Sequence, residues 1–136
     1  TAACPNEHLT EEEIAYVKTI LESFSRVEVV PEKLMDAVTA VSGSSPAYVY
    51  MMIEAMADAA VSGGMPRPQA YKFAAQAVLG SARMVLETGM HPGELKDMVC
   101  SPAGTTIEAV RTLEELGFRS SIIEAMKVCE EVSKSM

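Results

Sequence analysis

The chain has 136 residues, enough for one compact domain with a hydrophobic core, and 49% of them are hydrophobic. A net charge of −8, with 11 basic residues and no basic cluster, argues against nucleic acid or an anionic membrane as a partner. Cys4, Cys100 and Cys129 are too few and too widely spaced for a disulfide framework or zinc site, so we expect free thiols in a reducing cytoplasm. No apolar run reaches about 18 residues, and no basic segment precedes an apolar one, so we expect neither a membrane span nor a signal peptide.

Residues 1–30 are predicted to form a strand, a helix and a second strand. Thr1–Cys4 is typical of the end of a buried strand, and Val27–Val30 is a second, β-branched one. Between them, Thr10 and Glu13 have the spacing of a capping box that opens a helix. One such unit has no sheet to join, so residues 1–30 are predicted to be the last piece of an α/β domain.

From Pro31 onward the pattern is entirely helical, and we take 31–136 as a second, helical domain. Pro31 is expected at the first position of a helix that stops at 42–45. Ser45 is then expected to cap a helix over 46–62. That helix is apolar nearly all round, with Glu54 and Asp58 as the only charges, which predicts burial on most sides. In a chain of this length, a second subunit is the expected source of the extra cover.

The remaining helices are predicted over 68–88, 92–99, from Thr105 to Gly117, and over 118–132. Gly89 and Gly117 are expected to end two of them, and Thr105 with Glu108 has the spacing of a second capping box. Apolar residues at helical spacing predict the buried stripes of two of these helices. Their members are Ala70, Phe73, Ala74, Ala77, Val78 and Val85, and then Ile122, Ile123, Met126 and Cys129.

The segment from Ser101 to Thr106 is the strongest candidate for a binding site. A helix N-terminus offers unpaired N–H groups and partial positive charge, Gly104 permits close approach, and Thr105 and Thr106 add hydroxyls. Together they could hold a small carboxylate or phosphate. The same residues would also serve simply to cap a helix, and spacing alone leaves both interpretations open.

Other polar residues favour structural roles. Ser42–Pro46 could meet a ligand or only break a helix, and Glu54 with Asp58 could do acid–base chemistry or only line a helix edge. His91, beside Pro92, could titrate near neutrality, although a turn histidine is usually structural. Two histidines exclude a histidine-rich metal site, no metal is expected, and no GxGxxG dinucleotide fingerprint is present.

Several motifs nevertheless resemble those of pyrroline-5-carboxylate reductases. They occur in family order and cover most of the chain from Lys33 to Met126. They are Asp36–Tyr48 (DAVTAVSGSSPAY), His91–Asp97 (HPGELKD), Ser101–Thr106 (SPAGTT) and Gly117–Arg119 (GFR). The resemblance implies reduction of 1-pyrroline-5-carboxylate to L-proline by hydride from NADPH or NADH, the last step of proline biosynthesis. It also implies an N-terminal Rossmann domain, of which residues 1–30 would be the remnant, so that this chain alone should be inactive.

The resemblance further implies a mainly α fold whose helical bundle forms an interlocked homodimer, with five dimers making a decamer in many members. Thr106 would be the catalytic residue, near the imine nitrogen, and Ser42, Gly43 and Ser44 would lie near the cofactor. The substrate carboxylate would bind Ser101, Gly104, Thr105 and Thr106. Ser45 and Ala103 stand where the family commonly has glycine, so either is expected to be strained if its φ is positive.

Overall fold

A short parallel pair of strands joined by a helix begins the chain. In the computed structural model, which describes residues 1–135, β1 (Ala2–Ala3) pairs with β2 (Glu28–Val29) in parallel. The connecting helix is α1 (Glu11–Glu22). This confirms the predicted strand–helix–strand order.

The predicted capping box at the start of α1 is present. The backbone N–H of Glu13 donates to the Thr10 hydroxyl at 3.3 Å, and the backbone N–H of Thr10 donates to Glu13 Oε2 at 2.9 Å. The bond from the Thr10 backbone, followed by that from its hydroxyl, lowers the pKa of the Glu13 carboxyl. The box is therefore in its charged, bonded form at neutral pH.

An apolar groove of about 130 Å³ lies between α1 and the two strands. Its walls come from one face of α1 and from both strands: Ala3, Cys4, Pro5, Leu9, Ile14, Val17, Lys18, Leu21, Val27 and Val29. Ile20 and Phe24, at the same helical spacing, are exposed.

The predicted helix break at residues 42–45 is wrong. A 3₁₀ turn (Glu32–Leu34) leads into α2 (Met35–Val38), then a π-helical segment (Thr39–Ser44), and directly into α3 (Ser45–Ser62). Pro31 precedes the turn in an extended conformation, so it is not the first helical residue. The hydroxyls of Thr39 and Ser42 donate to carbonyls four residues back, so Ser42 makes its hydrogen bond within the helix and does not end it.

The later helices follow the prediction closely. They are α4 (Arg67–Thr88), α5 (Pro92–Val99), α6 (Thr105–Glu115) and α7 (Phe118–Lys134). Gly89 ends α4 at φ 66° and Gly117 follows α6 at φ 77°, left-handed conformations that favour glycine. The fold is mainly α, as predicted.

Contacts divide the chain into two compact units. The first holds Thr1–Ser45 and the chain's end from Met126, and the second holds Pro46–Ala125. Within the second unit, helix backbones approach one another closely at few positions; this holds for α3, α4, α5 and α6. The predicted domain boundary after residue 30 stays a prediction.

Little of the apolar surface is buried within one chain. In the described part of the chain, residues 1–135, the buried hydrophobic residues are all alanines: Ala40, Ala57, Ala70 and Ala74. The accessible surface is 10341 Å², whereas two compact proteins of the sizes of the two units would together expose about 8,300 Å². A chain of this composition therefore leaves apolar surface that its own fold does not cover.

Several apolar side chains are exposed within a single chain. Phe73, Ile122 and Ile123 are exposed although their spacing predicted burial, whereas the predicted burial of α3, for which a second subunit was the expected cover, stays a prediction. Nine large apolar residues of the second unit are more than half exposed: Tyr50, Met51, Phe73, Leu79, Leu86, Met98, Val99, Leu116 and Ile123. Among residues 1–135, none of the helices combines the length and apolarity that a bilayer crossing requires.

Candidate functional site

The segment Ser101–Gly104 is a tight turn between α5 and α6. The N–H of Gly104 donates to the carbonyl of Ser101 at 3.0 Å. Pro102 is the second residue of this turn, and Ala103, the third, has φ 56°. Proline followed by a residue with positive φ is typical of a type II turn, and α6 begins directly after this turn.

The predicted capping box at the start of α6 is wrong. Gly104, whose backbone is extended, is the N-cap, and it has no side chain with which to cap the helix. Thr105 is therefore already the first helical residue. The Glu108 carboxylate instead accepts from Nε of Arg111 at 3.1 Å. The box fails because its threonine must precede the helix, and the consequence is that the first turn of α6 keeps the polarity that suits an anion.

Gly104 has no room for a side chain. A Cβ at this position would collide with the Ser101 hydroxyl and lie 3.1 Å from the Ser101 carbonyl oxygen. The Ser101 side chain therefore lies directly over the N-cap of α6. Ser101, Gly104, Thr105 and Thr106 all belong to the second unit, and Thr106 is half-buried there.

Backbone strain differs between Ala103 and Ser45, the two residues that stand where the family commonly has glycine. Ala103 is the one residue other than glycine with positive φ among the described residues, whereas Ser45 has ordinary helical angles, φ −61° and ψ −22°. The conditional expectation of strain is met at Ala103 and not at Ser45. Ser45 is also not the predicted cap, since its hydroxyl donates to the Val41 carbonyl from within the helix.

We expect Ala103→Gly to raise the free energy of unfolding by about 1 kcal/mol. A left-handed backbone costs an L-residue roughly 1–2 kcal/mol, and the extra freedom of glycine in the unfolded chain offsets part of the gain. Ser45→Gly is the control and should lower the free energy of unfolding by about 0.5 kcal/mol, because glycine is a poorer helix former than serine. Urea unfolding of both variants checks this, and equal effects of the two changes would contradict it.

Ser42, Gly43 and Ser44 lie in the π-helical segment of the first unit. The Ser42 hydroxyl donates to the Val38 carbonyl at 2.9 Å, and the Ser44 hydroxyl lies 3.1 Å from the Cys129 thiol. A Cβ on Gly43 would be 3.7 Å from the Thr39 methyl, an ordinary contact, so nothing in the chain itself demands glycine there. The two groups of candidate residues thus lie in different units.

The charged residues that flank the loop are paired with carboxylates. Hydrogen bonding to Asp97 raises the pKa of the Lys96 ammonium, and hydrogen bonding to Glu114 raises the pKa of the Arg119 guanidinium. The two cations interact electrostatically with each other. These pairs depend on side-chain directions that the spacing of residues in the sequence does not give.

Other candidates have structural roles. Asp58 pairs with Arg67, whose guanidinium lies 5.6 Å from the centre of the Tyr71 ring, so the charge of Asp58 is balanced by an ion pair. His91 caps α5 through its ring. Within residues 1–135 no three histidine, cysteine or acidic side chains gather as metal ligands, and the three cysteines form no disulfide.

Comparison with known proteins identifies one family. Residues 32–136 match the family model described as pyrroline-5-carboxylate reductase dimerisation. Pyrroline-5-carboxylate reductases of Escherichia coli K12 and Methanosarcina acetivorans are similar at 65% and 54% identity, over 100% and 97% of this chain. This chain spans 51% and 49% of those two proteins, about half of each.

Solved structures agree with this match. The pyrroline-5-carboxylate reductase of Coxiella burnetii has a TM-score of 0.93 at 32% identity and covers 98% of this chain, which spans 50% of it. The Plasmodium falciparum pyrroline carboxylate reductase with NADP bound has a TM-score of 0.89 at 34% identity. The match covers 98% of this chain and 51% of the Plasmodium falciparum chain.

Proposed function

Because the chain belongs to the pyrroline-5-carboxylate reductase family, we propose that it supplies the self-associating, substrate-binding half of an enzyme that makes L-proline. The reaction adds a hydride to the carbon of the C=N bond of 1-pyrroline-5-carboxylate and a proton to its nitrogen. NADPH or NADH supplies the hydride when it is bound. The observation that carries the proposal is the turn at Ser101–Gly104, which presents the first turn of α6 without a side-chain cap.

The residues of this turn would hold the substrate by its carboxylate. Backbone N–H groups of the first turn of α6, with the hydroxyls of Ser101 and Thr105, are donors suited to an anion. Glycine at position 104 leaves the space that the Ser101 hydroxyl fills, so this hydroxyl lies over the N-cap of α6, where it could donate to a bound anion. Thr106 would lie near the imine nitrogen and orient it. Positioning a reactive carbon in this way accounts for most of the required rate, so a strong general base is not needed.

Ser42, Gly43 and Ser44 would lie beside the dinucleotide. The hydroxyls of Ser42 and Ser44 already have partners within the chain, so their side chains are fixed. Gly43 has room for a Cβ, and close approach of a flat ring is a physical reason for glycine there. The residues present therefore fit a cofactor at this face.

We expect Gly43→Ala to stabilise the chain and yet impair the enzyme. Alanine in a helix should add about 0.5–1 kcal/mol to the free energy of unfolding. The added methyl should misplace the cofactor and lower kcat/KM about tenfold or more. Urea unfolding and steady-state kinetics measure the two effects.

Gly80→Ala is the matched control, since Gly80 lies within α4 and its Cβ would meet nothing within 4 Å. It should stabilise without loss of activity, and equal kinetics in both variants would contradict a cofactor role.

The uncovered apolar surface supports self-association. Side chains such as Tyr50 and Met51 on α3 are 69% and 67% exposed, a state that water disfavours and a second copy would relieve. We propose a homodimer whose subunits interlock through α3, with a decamer of five dimers as the larger form. Neither nucleic acid nor membrane is proposed as a partner. A cytoplasmic location, where the three thiols would stay reduced, completes the proposal.

The test joins this chain to the remaining half of the Escherichia coli relative. The isolated chain should form no proline from 1-pyrroline-5-carboxylate and NADPH or NADH, whereas the fusion should. A fusion that ignores this substrate but reduces another imine or hydroxyacid would favour a related reductase. If the chain were only an assembly module, L-proline would leave the amide signals of Ser101–Thr106 unchanged and the site variants would not affect the fusion.

A further inference from the structure

Two side chains at the end of α7 form hydrogen bonds with the helical segment that precedes α3. The Cys129 thiol donates to the Ser44 hydroxyl at 3.1 Å, and the Ser133 hydroxyl donates to Asp36 Oδ1 at 2.6 Å. These pairs join residues that are 85 and 97 positions apart in the sequence. Cys129 and Ser133 are about one helical turn apart, so the same side of α7 makes both contacts. The end of the chain is therefore bonded at two points to the helix that contains the π-helical segment Thr39–Ser44.

The helix around the π-helical segment has a covered side and an exposed side. Asp36, Ala40 and Ser44 follow one another at intervals of four residues, which places them on one side of the helix. Ala40 is 2% exposed, and Asp36 and Ser44 are half-buried, as are both of their partners on α7. Ser42 and Gly43 are exposed. The end of α7 thus supports the segment from one side and leaves Ser42 and Gly43 accessible to a ligand.

The Ser44 hydroxyl differs from the two other hydroxyls of the π-helical segment. Those of Thr39 and Ser42 donate to carbonyls of their own helix. The hydroxyl of Ser44 instead accepts from a side chain of another helix, and a serine hydroxyl that accepts a hydrogen bond keeps its own proton for donation to a ligand. π-helical turns are rare, and they frequently occur at functional sites. The thiol of Cys129 therefore orients a hydroxyl that can still donate.

The two contacts contribute in different ways. A thiol is a weak hydrogen-bond donor, so the bond from Cys129 mainly fixes the direction of the Ser44 hydroxyl. A hydroxyl that donates to a carboxylate makes a stronger, charge-assisted bond. The bond from Ser133 to Asp36 is of this kind and is correspondingly short, at 2.6 Å. Ser133 thus holds the helix at α2, and Cys129 holds it at the last residue of the π-helical segment.

We propose that Cys129 and Ser133 are positioning residues, which hold the π-helical segment in the arrangement in which Gly43 and Ser44 contact the dinucleotide. The inference rests on the proposed reductase function and adds two residues of α7 to the support of its cofactor face. Both act through the segment and take part in no covalent step. Loss of either contact should weaken dinucleotide binding and leave the Ser101–Thr106 turn, which belongs to the other unit, unaffected.

The first test measures dinucleotide binding to the fusion enzyme. Titration with NADPH, and separately with NADH, gives dissociation constants from the change in nicotinamide fluorescence. Cys129→Ala and Ser133→Ala should each raise the constant about fivefold, as expected for the loss of one hydrogen bond. The KM for 1-pyrroline-5-carboxylate should change less than about twofold. Cys129→Ser should bind within about twofold of wild type, because its hydroxyl can donate to Ser44.

Ser135→Ala is the matched control, since the Ser135 hydroxyl donates to the Val132 carbonyl of its own helix. It should leave the dissociation constants unchanged. Wild-type affinity in both Cys129→Ala and Ser133→Ala would overturn the positioning role while leaving the reductase function intact, and so would an equal rise in the substrate KM. A wild-type fusion that binds neither dinucleotide and forms no proline would overturn the reductase function and the positioning role together.

The second test needs no catalysis and uses this chain by itself. The amide signals of Gly43 and Ser44 should shift in Cys129→Ala and return toward their wild-type positions in Cys129→Ser. Circular dichroism should show that each variant keeps its helices. Signals of Gly43 and Ser44 that are the same in Cys129→Ala and wild type would overturn the inference, whether or not the fusion is active.

Discussion

Tyr50→Glu should dissociate the assembly of this chain. Tyr50 is 69% exposed on a helix with only two charged residues, and we propose that a second copy covers it. Burying an unpaired carboxylate in that surface should weaken association by about 3 kcal/mol or more, over a hundredfold in the dissociation constant. Sedimentation of the purified chain at micromolar concentration would show the change as a fall from the assembled mass to the monomer mass.

Tyr16→Glu is the matched control for this experiment. Tyr16 is also a tyrosine within a helix and is also 69% exposed, but it lies on α1 in the first unit. The same charge there should leave the assembled mass unchanged. If both variants behave alike, the surface of α3 is not the contact between copies.

Thr106→Ala should lower kcat/KM of the fusion enzyme about a hundredfold. Removing one donor that stabilises charge at a reacting group typically costs about 10²–10³ in rate. Thr106 is half-buried in the first turn of α6, where we propose that its hydroxyl contacts the substrate. Steady-state kinetics with 1-pyrroline-5-carboxylate measures the loss, and a nearly unchanged KM would place the effect in the chemical step.

Thr112→Ala tests whether any threonine of α6 would behave in this way. The Thr112 hydroxyl donates to the Glu108 carbonyl at 3.1 Å on the exposed side of the same helix. Its removal should change kcat/KM less than about twofold, as for most surface substitutions. Equal losses in the two variants would mean that α6 responds as a structural element and that Thr106 has no special role.

Local signals predicted most of the helices correctly. Gly89 and Gly117 end helices because their left-handed backbones need no Cβ, and the capping box at Thr10 opens α1. These features depend on a few neighbouring residues, so the sequence alone contains the physics that decides them. The bounds of α5, Pro92–Val99, matched the prediction at both ends.

The errors arose where one residue type serves two local structures. Serine and threonine suit both helix caps and hydroxyl bonds to the preceding turn, and Ser42 and Ser45 make the second kind of bond. Thr105 was assigned as a cap, yet Gly104 takes that place because its extended backbone already precedes the helix. A pattern of residue types does not decide which of two hydrogen bonds forms.

Burial was predicted least well, and the reason lies outside the single chain. Periodicity placed Phe73 in the buried stripe of α4, beside Ala70 and Ala74, but its ring is 59% exposed. Periodicity tells which residues share a face and not which molecule covers that face. The binding role of the Ser101–Thr106 turn stays a prediction, whereas the cap formed by His91 was not predicted, because histidine is an uncommon cap.

Among residues 1–135 the buried hydrophobic residues are four alanines, too small an interior to hold a solitary chain together for long. Folding and pairing should then be a single event, so that a newly synthesised copy is exposed to proteases until it meets another. The thermal midpoint should accordingly rise with protein concentration, since mass action favours the bound state. A midpoint that is the same across a hundredfold dilution would show that each copy matures by itself. Cellular abundance of such a protein would respond more than proportionally to its rate of synthesis.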